Sequence, residues 1–274
     1  MYKIRKKITL NKDVDLMVVE APLVSKNAKP GHFVIVRSNN DSERIPLTIV
    51  EKDDETITII YQKLGYSTKE LSQKNENESL EDVVGPLGKA KILGDESRIL
   101  GIAGGVGAAP LYPQLKAYAD KGSHVDLIIG GRSKEHLILM DKYEKICENI
   151  YIATDDGSAG TKGFVTDVMK EVYKGNTYDI AIAIGPLIMM KNAYLVNKEY
   201  GIETEVSLNP IMIDGTGMCG NCRVSINGKN QFACVDGPDF PAEGIDFDEL
   251  MHRQSYYKKE EHDCLINLGD ENDQ

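Results

Sequence analysis

Three of the five cysteines lie in one short glycine-rich stretch, residues 213–237, with an aspartate just ahead of them. Counted from Asp214 through Cys219, Cys222 and Cys234, the spacing is D-x4-C-x2-C-x11-C. This is the plant-type iron–sulfur spacing with a carboxylate in the first ligand position. Soft thiolates suit iron and sulfide, and the intervening glycines leave backbone N–H groups free to point at a negatively charged cluster. The stretch therefore predicts a [2Fe–2S] site.

Two other interpretations of this stretch stay open. Three thiolates and a carboxylate could hold zinc, although structural zinc usually takes two C-x2-C pairs or histidines, and no histidine is near in the sequence. A structural disulfide would leave one of the three thiols unpaired, and the basic start of the chain lacks the apolar core of a secretory signal. Asn227-Gly228 predicts a hairpin turn that carries Cys234 back to the other two cysteines.

A second glycine-rich turn follows the apolar run at residues 98–103 and precedes a helical pattern. Strand, glycine turn and helix bring backbone N–H groups up to a dinucleotide pyrophosphate. Later apolar runs at 125–129, 150–153 and 180–184 alternate with helical segments and predict a doubly wound parallel sheet. A ligand should lie across the carboxyl ends of its strands. The candidates there are Gly104, Gly105, Gly107, Gly185 and Pro186.

Two aspartates follow the third of these strands, Asp155 and Asp156. A carboxylate beside a ribose accepts hydrogen bonds from its hydroxyls and repels a 2′-phosphate, which favours NADH over NADPH. Arg132 also follows a strand end and favours the opposite choice, because it can pair with a phosphate. A third interpretation is that the acids only stiffen a loop.

The N-terminal region predicts an antiparallel barrel or sandwich, because short apolar runs alternate with turn signals. Its strands are expected at the start of the chain and at 14–20, 33–37, 45–50 and 56–61. Residues 73–81 are too polar to bury and predict an exposed loop, and Gly85-Pro-Leu-Gly88 predicts a closing turn.

Two short segments of this region could bind a phosphorylated cofactor. Arg44 precedes a strand, where an arginine can clamp a pyrophosphate, and Thr48 can reach a ring nitrogen. Ser67 or Thr68, after Gly65, can cap a helix whose free N–H groups form a phosphate site. A solvated arginine and a plain helix cap are the alternatives.

Composition excludes several functional classes. The chain of 274 residues carries 32 basic and 43 acidic side chains, a net charge of −11, which argues against a nucleic-acid partner. No apolar run approaches the ~20 residues of a membrane span, and we expect a cytoplasmic protein. The five histidines are scattered, so no catalytic acid or base is predicted.

Taken in order, these motifs and a few neighbours resemble one family. They are P-G-H-F-V at 30–34, R-I-P-L-T at 44–48, G-Y-S-T at 65–68, G-P-L-G at 85–88, G-G-V-G-A-A-P-L at 104–111, T-D-D-G-S at 154–158 and the cysteine segment. The chain resembles the ferredoxin–NADP reductase superfamily and, within it, the electron-transfer subunits of dihydroorotate dehydrogenase. The resemblance extends from the first strand to about residue 240.

The resemblance implies three functional modules. These are an FAD-binding β-barrel (1–95), an NAD(P)-binding α/β domain (96–205) and a [2Fe–2S] module (206–240). The polar residues 241–274 lie beyond the resemblance, and we expect them to form a partner-facing segment with an acidic tail. The resemblance also implies flavin contacts from Arg44, Pro46, Leu47, Thr48, Gly65, Ser67 and Thr68, and nicotinamide-nucleotide contacts from Gly104, Gly105 and Gly107.

Asp214 stands where the dihydroorotate subunits carry a fourth cysteine, and in this respect the chain is more similar to the small subunit of NADH-dependent reduced ferredoxin:NADP oxidoreductase. That similarity implies a larger partner with FAD and [4Fe–4S] clusters, access to ferredoxin through the complex, and flavin-based electron bifurcation. We therefore expect electrons to pass between NAD(H), FAD and the [2Fe–2S] cluster. The alternatives are a dihydroorotate dehydrogenase electron-transfer subunit and a zinc-stabilised, non-redox nucleotide-binding module.

Overall fold

The computed structural model describes residues 2–263, and its N-terminal part is an antiparallel seven-stranded sheet that curls into a nearly closed barrel. The strands are β1 (Tyr2–Asn11), β2 (Val14–Glu20), β3 (Phe33–Arg37), β4 (Ile45–Lys52), β5 (Thr56–Gln62), β6 (Ser79–Leu80) and β7 (Asp82–Leu87), with short helices α1 (Pro22–Asn27) and α2 (Tyr66–Gln73) between them. Their order in the sheet is β6-β1-β2-β5-β4-β3-β7. The prediction of an antiparallel barrel is confirmed.

Strand β3 shows how the barrel meets the rest of the molecule. Successive side chains of a strand point to opposite faces. Val34 and Val36 accordingly join the core inside the barrel, whereas Phe33 and Ile35 belong to a second core that extends into the C-terminal half. This strand thus contributes side chains to two hydrophobic cores.

Two of the barrel predictions were wrong. Residues 73–81, expected to be an exposed loop, contain strand β6, whose Leu80 is fully buried against the start of β1. Gly85-Pro86, expected in a turn, lies within β7. An edge strand tolerates proline because no neighbour needs its missing N–H. Gly85 also packs against Val34, where a side chain would collide.

The central part is the predicted doubly wound sheet. Its strands are β8 (Arg98–Gly104), β9 (His124–Gly131), β10 (Asn149–Thr154), β11 (Thr161–Lys162), β12 (Ile180–Ile184) and β13 (Glu203–Ser207), and its helices are α3 (Ala108–Lys121), α4 (Met140–Tyr143), α5 (Val165–Val172) and α6 (Leu187–Glu199). These strands are parallel in the order β11-β10-β9-β8-β12-β13. The four predicted strands are confirmed. The sequence patterns missed β11 and β13, because two exposed residues and an E-T-E-V-S run carry too little hydrophobic signal.

Helix α3 joins the sheet to the barrel. Its apolar side chains Leu111, Leu115 and Tyr118 are all buried, and they share one core with barrel residues of β2, β4 and β5. At the edge of this junction Lys142 Nζ lies 2.8 Å from Glu51 Oε1 of β4. The two domains therefore pack as one unit across α3.

The C-terminal part folds back onto the central sheet. It comprises the hairpin β14 (Arg223–Ile226) and β15 (Lys229–Phe232), helix α7 (Ala233–Asp236), strand β16 (Asp239–Pro241) and helix α8 (Phe247–Arg253). Asn227 and Gly228 both have positive φ, as a two-residue hairpin turn requires, so that prediction is confirmed. Strand β16 pairs antiparallel with β13. Residues 264–274, including the predicted acidic tail, lie outside the described residues. Within residues 2–263, no helix is long and apolar enough to span a bilayer.

Candidate redox centre

The cysteine loop, residues 213–237, brings two thiols into contact. Cys222 Sγ lies 3.2 Å from Cys234 Sγ, and both residues are buried. Cys222 precedes β14 and Cys234 follows β15, so the hairpin returns one thiol to the other. The separation is well beyond the ~2.05 Å of a disulfide bond, and both thiols are free. Burial raises the pKa of Cys234 to about 12. Coordination to a metal would nevertheless deprotonate this thiol.

Asp214 and Cys219 form a second pair in the same loop. Asp214 Oδ2 accepts a hydrogen bond from the backbone N–H of Cys219 at 2.8 Å, and Oδ1 accepts one from Thr216 N at 2.7 Å. The bond from Thr216 and the one from Cys219 lower the pKa of Asp214. Cys219 itself is exposed. The aspartate is thus ionised and held beside the exposed thiol.

Four donors arranged as two pairs fit a binuclear cluster better than a single ion. Each iron of a [2Fe–2S] centre takes two protein ligands, whereas structural zinc needs four donors around one point. The chemistry and pairing of Asp214, Cys219, Cys222 and Cys234 therefore fit the predicted cluster.

The cysteine loop rests directly on the barrel. Gly215 packs against Ile35 of β3 and Leu87 of β7. Arg44 donates from Nε to the carbonyl oxygen of Ile213, 3.1 Å away. The arginine predicted to hold the flavin is thus also bonded to the residue before Asp214, and the two predicted redox sites share one junction.

The other predicted flavin residues lie on that side of the barrel. Residues 45–48 of β4, which include Pro46, Leu47 and Thr48, are only half-buried, although the strand continues into the buried Ile49 and Val50. An apolar strand surface left partly open can receive a flat aromatic ring system. Arg44 immediately precedes this surface.

The predicted phosphate turn has a different local structure from the one expected. Helix α2 begins at Tyr66 with Gly65 as its N-cap, so the cap lies before the predicted positions Ser67 and Thr68, which are inside the helix. Thr68 Oγ1 accepts from the N–H of Gly65 at 3.2 Å and closes the turn. Ser67 donates to Glu43 Oε2 at 2.5 Å. A phosphate held here would replace the Glu43 carboxylate as the partner of Ser67.

The predicted nucleotide residues meet between β8 and β12, where the order of the strands in the sheet reverses. Strands β8 and β12 are neighbours, with Ala103 opposite Ile184, and the strands before and after them extend to opposite sides. A Cβ on Gly107 would lie 2.2 Å from the Ile184 carbonyl oxygen, so this glycine lets the two turns touch. Gly105 has φ +55° and nothing within 4 Å of such a Cβ. Gly105 therefore borders open space at the switch point, where nucleotides bind in such sheets.

The residues proposed to select the nucleotide also lie together. Asp156 N donates to the carbonyl oxygen of Arg132 at 3.2 Å, so the ends of β9 and β10 are side by side. Asp155 and Asp156 are exposed, and hydrogen bonds from Ser158 lower the pKa of Asp156. The ionised Asp156 and its exposed neighbour Asp155 thus lie at one edge of the predicted site, next to the competing arginine.

One cluster of polar side chains was not predicted from the sequence. Lys91 pairs with Glu205 of β13, and Gln114 of α3 donates to Asp239 Oδ2 of β16 at 3.0 Å. Burial and the nearby Glu205 raise the pKa of Asp239 to about 6. Since these residues are far apart in the sequence, only the folded chain brings them together. They fasten the strand after the cysteine loop to the central sheet.

Comparisons with known proteins agree with this fold and site. Residues 102–194 match a family model described as an oxidoreductase NAD-binding domain. The cytochrome b5 reductase domain of Ulva prolifera nitrate reductase has the same fold, with a TM-score of 0.59 over 74% of this chain and 93% of that chain at 16% identity. The protein is an oxidoreductase of the ferredoxin reductase fold that uses FAD, an iron–sulfur cluster and NAD(H).

More specific matches cover the cysteine loop and the whole chain. Residues 209–246 match the iron–sulfur cluster binding domain of dihydroorotate dehydrogenase B. A Thermotoga maritima protein named as a homolog of the dihydroorotate dehydrogenase B (NAD(+)) electron transfer subunit is 44% identical over 95% of this chain and 93% of its own. The chain belongs to this family of electron-transfer subunits, which confirms the resemblance.

A solved structure matches over the full length. A chain from the structure of NADH-dependent reduced ferredoxin-NADP oxidoreductase, studied for flavin-based electron bifurcation, has a TM-score of 0.93 and 41% identity, and 98% of each chain is covered.

Proposed function

We propose that this chain is the small, NADH-oxidising subunit of an electron-bifurcating complex of the reduced ferredoxin:NADP oxidoreductase type. Its partner would be a larger subunit with FAD and [4Fe–4S] clusters, through which electrons reach ferredoxin. The observation that carries the proposal is the match over 98% of both chains to a chain of that enzyme. The carboxylate of Asp214, in place of the fourth cysteine of dihydroorotate subunits, supports the same choice.

In this proposal NADH lies across the carboxyl ends of β8 and β12. Gly105 leaves room for the pyrophosphate, and Gly107 holds the two turns in contact. Asp155 accepts hydrogen bonds from the ribose hydroxyls and disfavours a 2′-phosphate. The chain supplies position and charge here, and no side chain is needed as an acid or base.

The flavin would lie against β4, with Arg44 on its pyrophosphate and Ser67 at its phosphate turn. When bound, FAD exchanges a hydride with the nicotinamide and single electrons with an iron–sulfur centre. Pro46, Leu47 and Thr48 exclude water from one face of the ring. Because Arg44 also bonds to Ile213, the residue that orients the flavin orients the cysteine loop as well.

The cysteine loop offers an exit face for electrons. Three apolar side chains near Cys219 are exposed, namely Met218 at 87%, Ile213 at 50% and Val235 at 38%. Exposed apolar groups clustered at a redox site suit burial against a partner subunit. Cysteines that hold a cluster instead of forming disulfides suit a reducing compartment and support a cytoplasmic location.

The first test is the visible spectrum of the anaerobically purified protein before and after NADH is added. We expect flavin bands over a broad iron–sulfur absorption, both bleached by NADH. Metal analysis on the same sample should give iron and acid-labile sulfide. Zinc without iron would support the non-redox nucleotide-binding module instead.

The ligand assignment is tested by Asp214→Cys. A fourth thiolate is softer than a carboxylate, so the cluster should be retained and its reduction potential should shift. An electron paramagnetic resonance titration measures the potential. Loss of the cluster, or an unchanged potential, would count against the assignment of Asp214 as a ligand.

A second candidate is the electron-transfer subunit of a dihydroorotate dehydrogenase, which the match at residues 209–246 favours. Purification of the complex from the native organism separates the two. A flavoprotein partner with [4Fe–4S] clusters that couples NADH, NADP and ferredoxin supports our proposal. A partner that oxidises dihydroorotate supports the second candidate.

A further inference from the structure

Helix α8 lies just beyond the matched iron–sulfur segment, which ends at residue 246, and packs against the same module. Its Phe247 and Leu250 are buried in the core shared with the hairpin β14–β15. The side chain of Asp246 caps the helix by accepting from Glu249 N at 2.9 Å, and Asp246 N donates to Ser225 O of β14. The position of the helix end is therefore fixed relative to the cysteine loop.

The last residue of α8, Arg253, reaches into that loop. Its Nη2 donates to the carbonyl oxygen of Asn221 at 3.1 Å. Asn221 lies between Cys219 and Cys222 in the C-G-N-C turn. The guanidinium also lies over the ring of Tyr256, 5.7 Å from its centroid. The next residue, Gln254, donates from Nε2 to Asn209 O at 2.9 Å. This bond holds the segment that leads into the cysteine loop.

The charge of Arg253 is poorly compensated by the protein. Arg253 is half-buried, and its Nε is buried without a hydrogen-bond partner. Among residues 2–263, no carboxylate lies within ion-pairing distance of its guanidinium. By contrast, Arg223, beside Cys222, lies 3.6 Å from Glu249 Oε1. A partly buried, unpaired cation acts on nearby charge with less screening than an exposed one.

We propose that Arg253 is a positioning residue that fixes the C-G-N-C turn and raises the reduction potential of the cluster. The inference rests on the proposed cluster at Asp214, Cys219, Cys222 and Cys234. Reduction adds one negative charge to the centre, so a fixed cation beside the loop favours the reduced form. Net charge and hydrogen bonding around the sulfurs are among the factors that set iron–sulfur potentials. Arg253 supplies a positive charge, and its hydrogen bond to Asn221 fixes the backbone of the turn, both from outside the ligand segment.

The test is an anaerobic redox titration of the holoprotein, followed by electron paramagnetic resonance, on wild type and four variants. Arg253→Gln removes the charge, and Arg253→Met removes it while keeping the aliphatic packing on Tyr256. Arg253→Lys keeps the charge but changes the donor geometry. The control is Arg5→Gln, which removes an arginine of the barrel strand β1 that is paired with Glu20 of β2. The signal reports only molecules that hold a cluster, so partial cluster loss does not obscure the potential.

At the wild-type midpoint potential, we expect the ratio of reduced to oxidised cluster to fall at least threefold in Arg253→Gln and Arg253→Met. The ratio should stay within twofold of wild type in Arg253→Lys and Arg5→Gln. Bleaching by a chelator should be faster in all three Arg253 variants, because each disturbs the bond to Asn221. Faster bleaching with unchanged ratios in Arg253→Gln and Arg253→Met would overturn the inference, because that result shows a purely structural role. A wild-type protein without any cluster signal would instead overturn the proposed function and this inference together.

Discussion

Gly105 gives the sharpest test of the nucleotide site, because the substitution Gly105→Ala meets nothing in the free protein. An added Cβ there has no atom within 4 Å, so the only cost to folding is the positive φ of +55°. That conformation costs an alanine about 1–2 kcal/mol. For a chain of this size we expect the melting temperature to fall by roughly 2–8 °C, at about 2–4 °C per kcal/mol.

Gly105→Ala should weaken NADH binding more than it lowers the stability of the fold. The new methyl group projects into the space where the proposal places the pyrophosphate, so NADH must shift or lose backbone hydrogen bonds. A loss of ~1.4 kcal/mol corresponds to a tenfold weaker complex. We expect the KM for NADH to rise about tenfold or more in a dye-reduction assay with the holoprotein, with flavin content unchanged.

Gly122 provides a matched control at the other end of α3. It also has positive φ, at +96°, and nothing within 4 Å of an added Cβ. Gly122→Ala should therefore lower the melting temperature to a similar extent and leave the KM for NADH unchanged. Equal KM values for wild type, Gly105→Ala and Gly122→Ala would refute the placement of the nucleotide at Gly105.

Gly107→Ala tests the contact between the turns after β8 and β12. Gly107 has ordinary helical φ of −58°, so alanine is favoured locally by about 0.5–1 kcal/mol. The Cβ, however, would lie 2.2 Å from a backbone oxygen, and forced overpacking typically costs about 1–3 kcal/mol. We expect net destabilisation with weaker NADH binding. A more stable variant would mean that the turns after β8 and β12 are not in contact.

Three further predictions concern other parts of the chain. The pKa of Asp239 is raised in the folded state to about 6, so the fold favours its protonated form; the stability it contributes is present at low pH and lost as pH rises through about 6. Asp239→Asn should flatten the fall in melting temperature between pH 5 and 7, and a slope equal to wild type would contradict this. Tyr143→Phe removes a buried hydrogen bond of 2.6 Å to the first carbonyl of α3 and should cost about 1–2 kcal/mol in urea unfolding, whereas the exposed Tyr200→Phe should cost little. Asp155→Asn removes a charge that would repel a phosphate 4 Å away by ~1 kcal/mol in water, so the ratio of NADPH to NADH reduction rates should rise roughly fivefold. An unchanged ratio would mean that another residue determines the preference for NADH.

Local patterns were sufficient for the features that depend on neighbouring residues. The strands with continuous apolar runs, the hairpin at Asn227-Gly228 and the helix after the glycine turn were predicted correctly, because each follows from side-chain periodicity or backbone conformation over a few residues. The spacing from Asp214 to Cys234 determined which donors could take part in a cluster, since metal ligands are identified by their chemistry and order.

Tertiary structure decided the features that depend on distant partners. Strands β6, β7, β13 and β16 are weak in the sequence and form because a neighbouring strand completes their hydrogen bonds. The pairing of Cys222 with Cys234 and of Asp214 with Cys219 is likewise a result of the folded loop. The bonds from Arg44 to Ile213 and from Arg253 to Asn221 join segments 169 and 32 residues apart. No local pattern encodes such contacts, because their free energy is gained only when the surrounding cores have already brought the segments together.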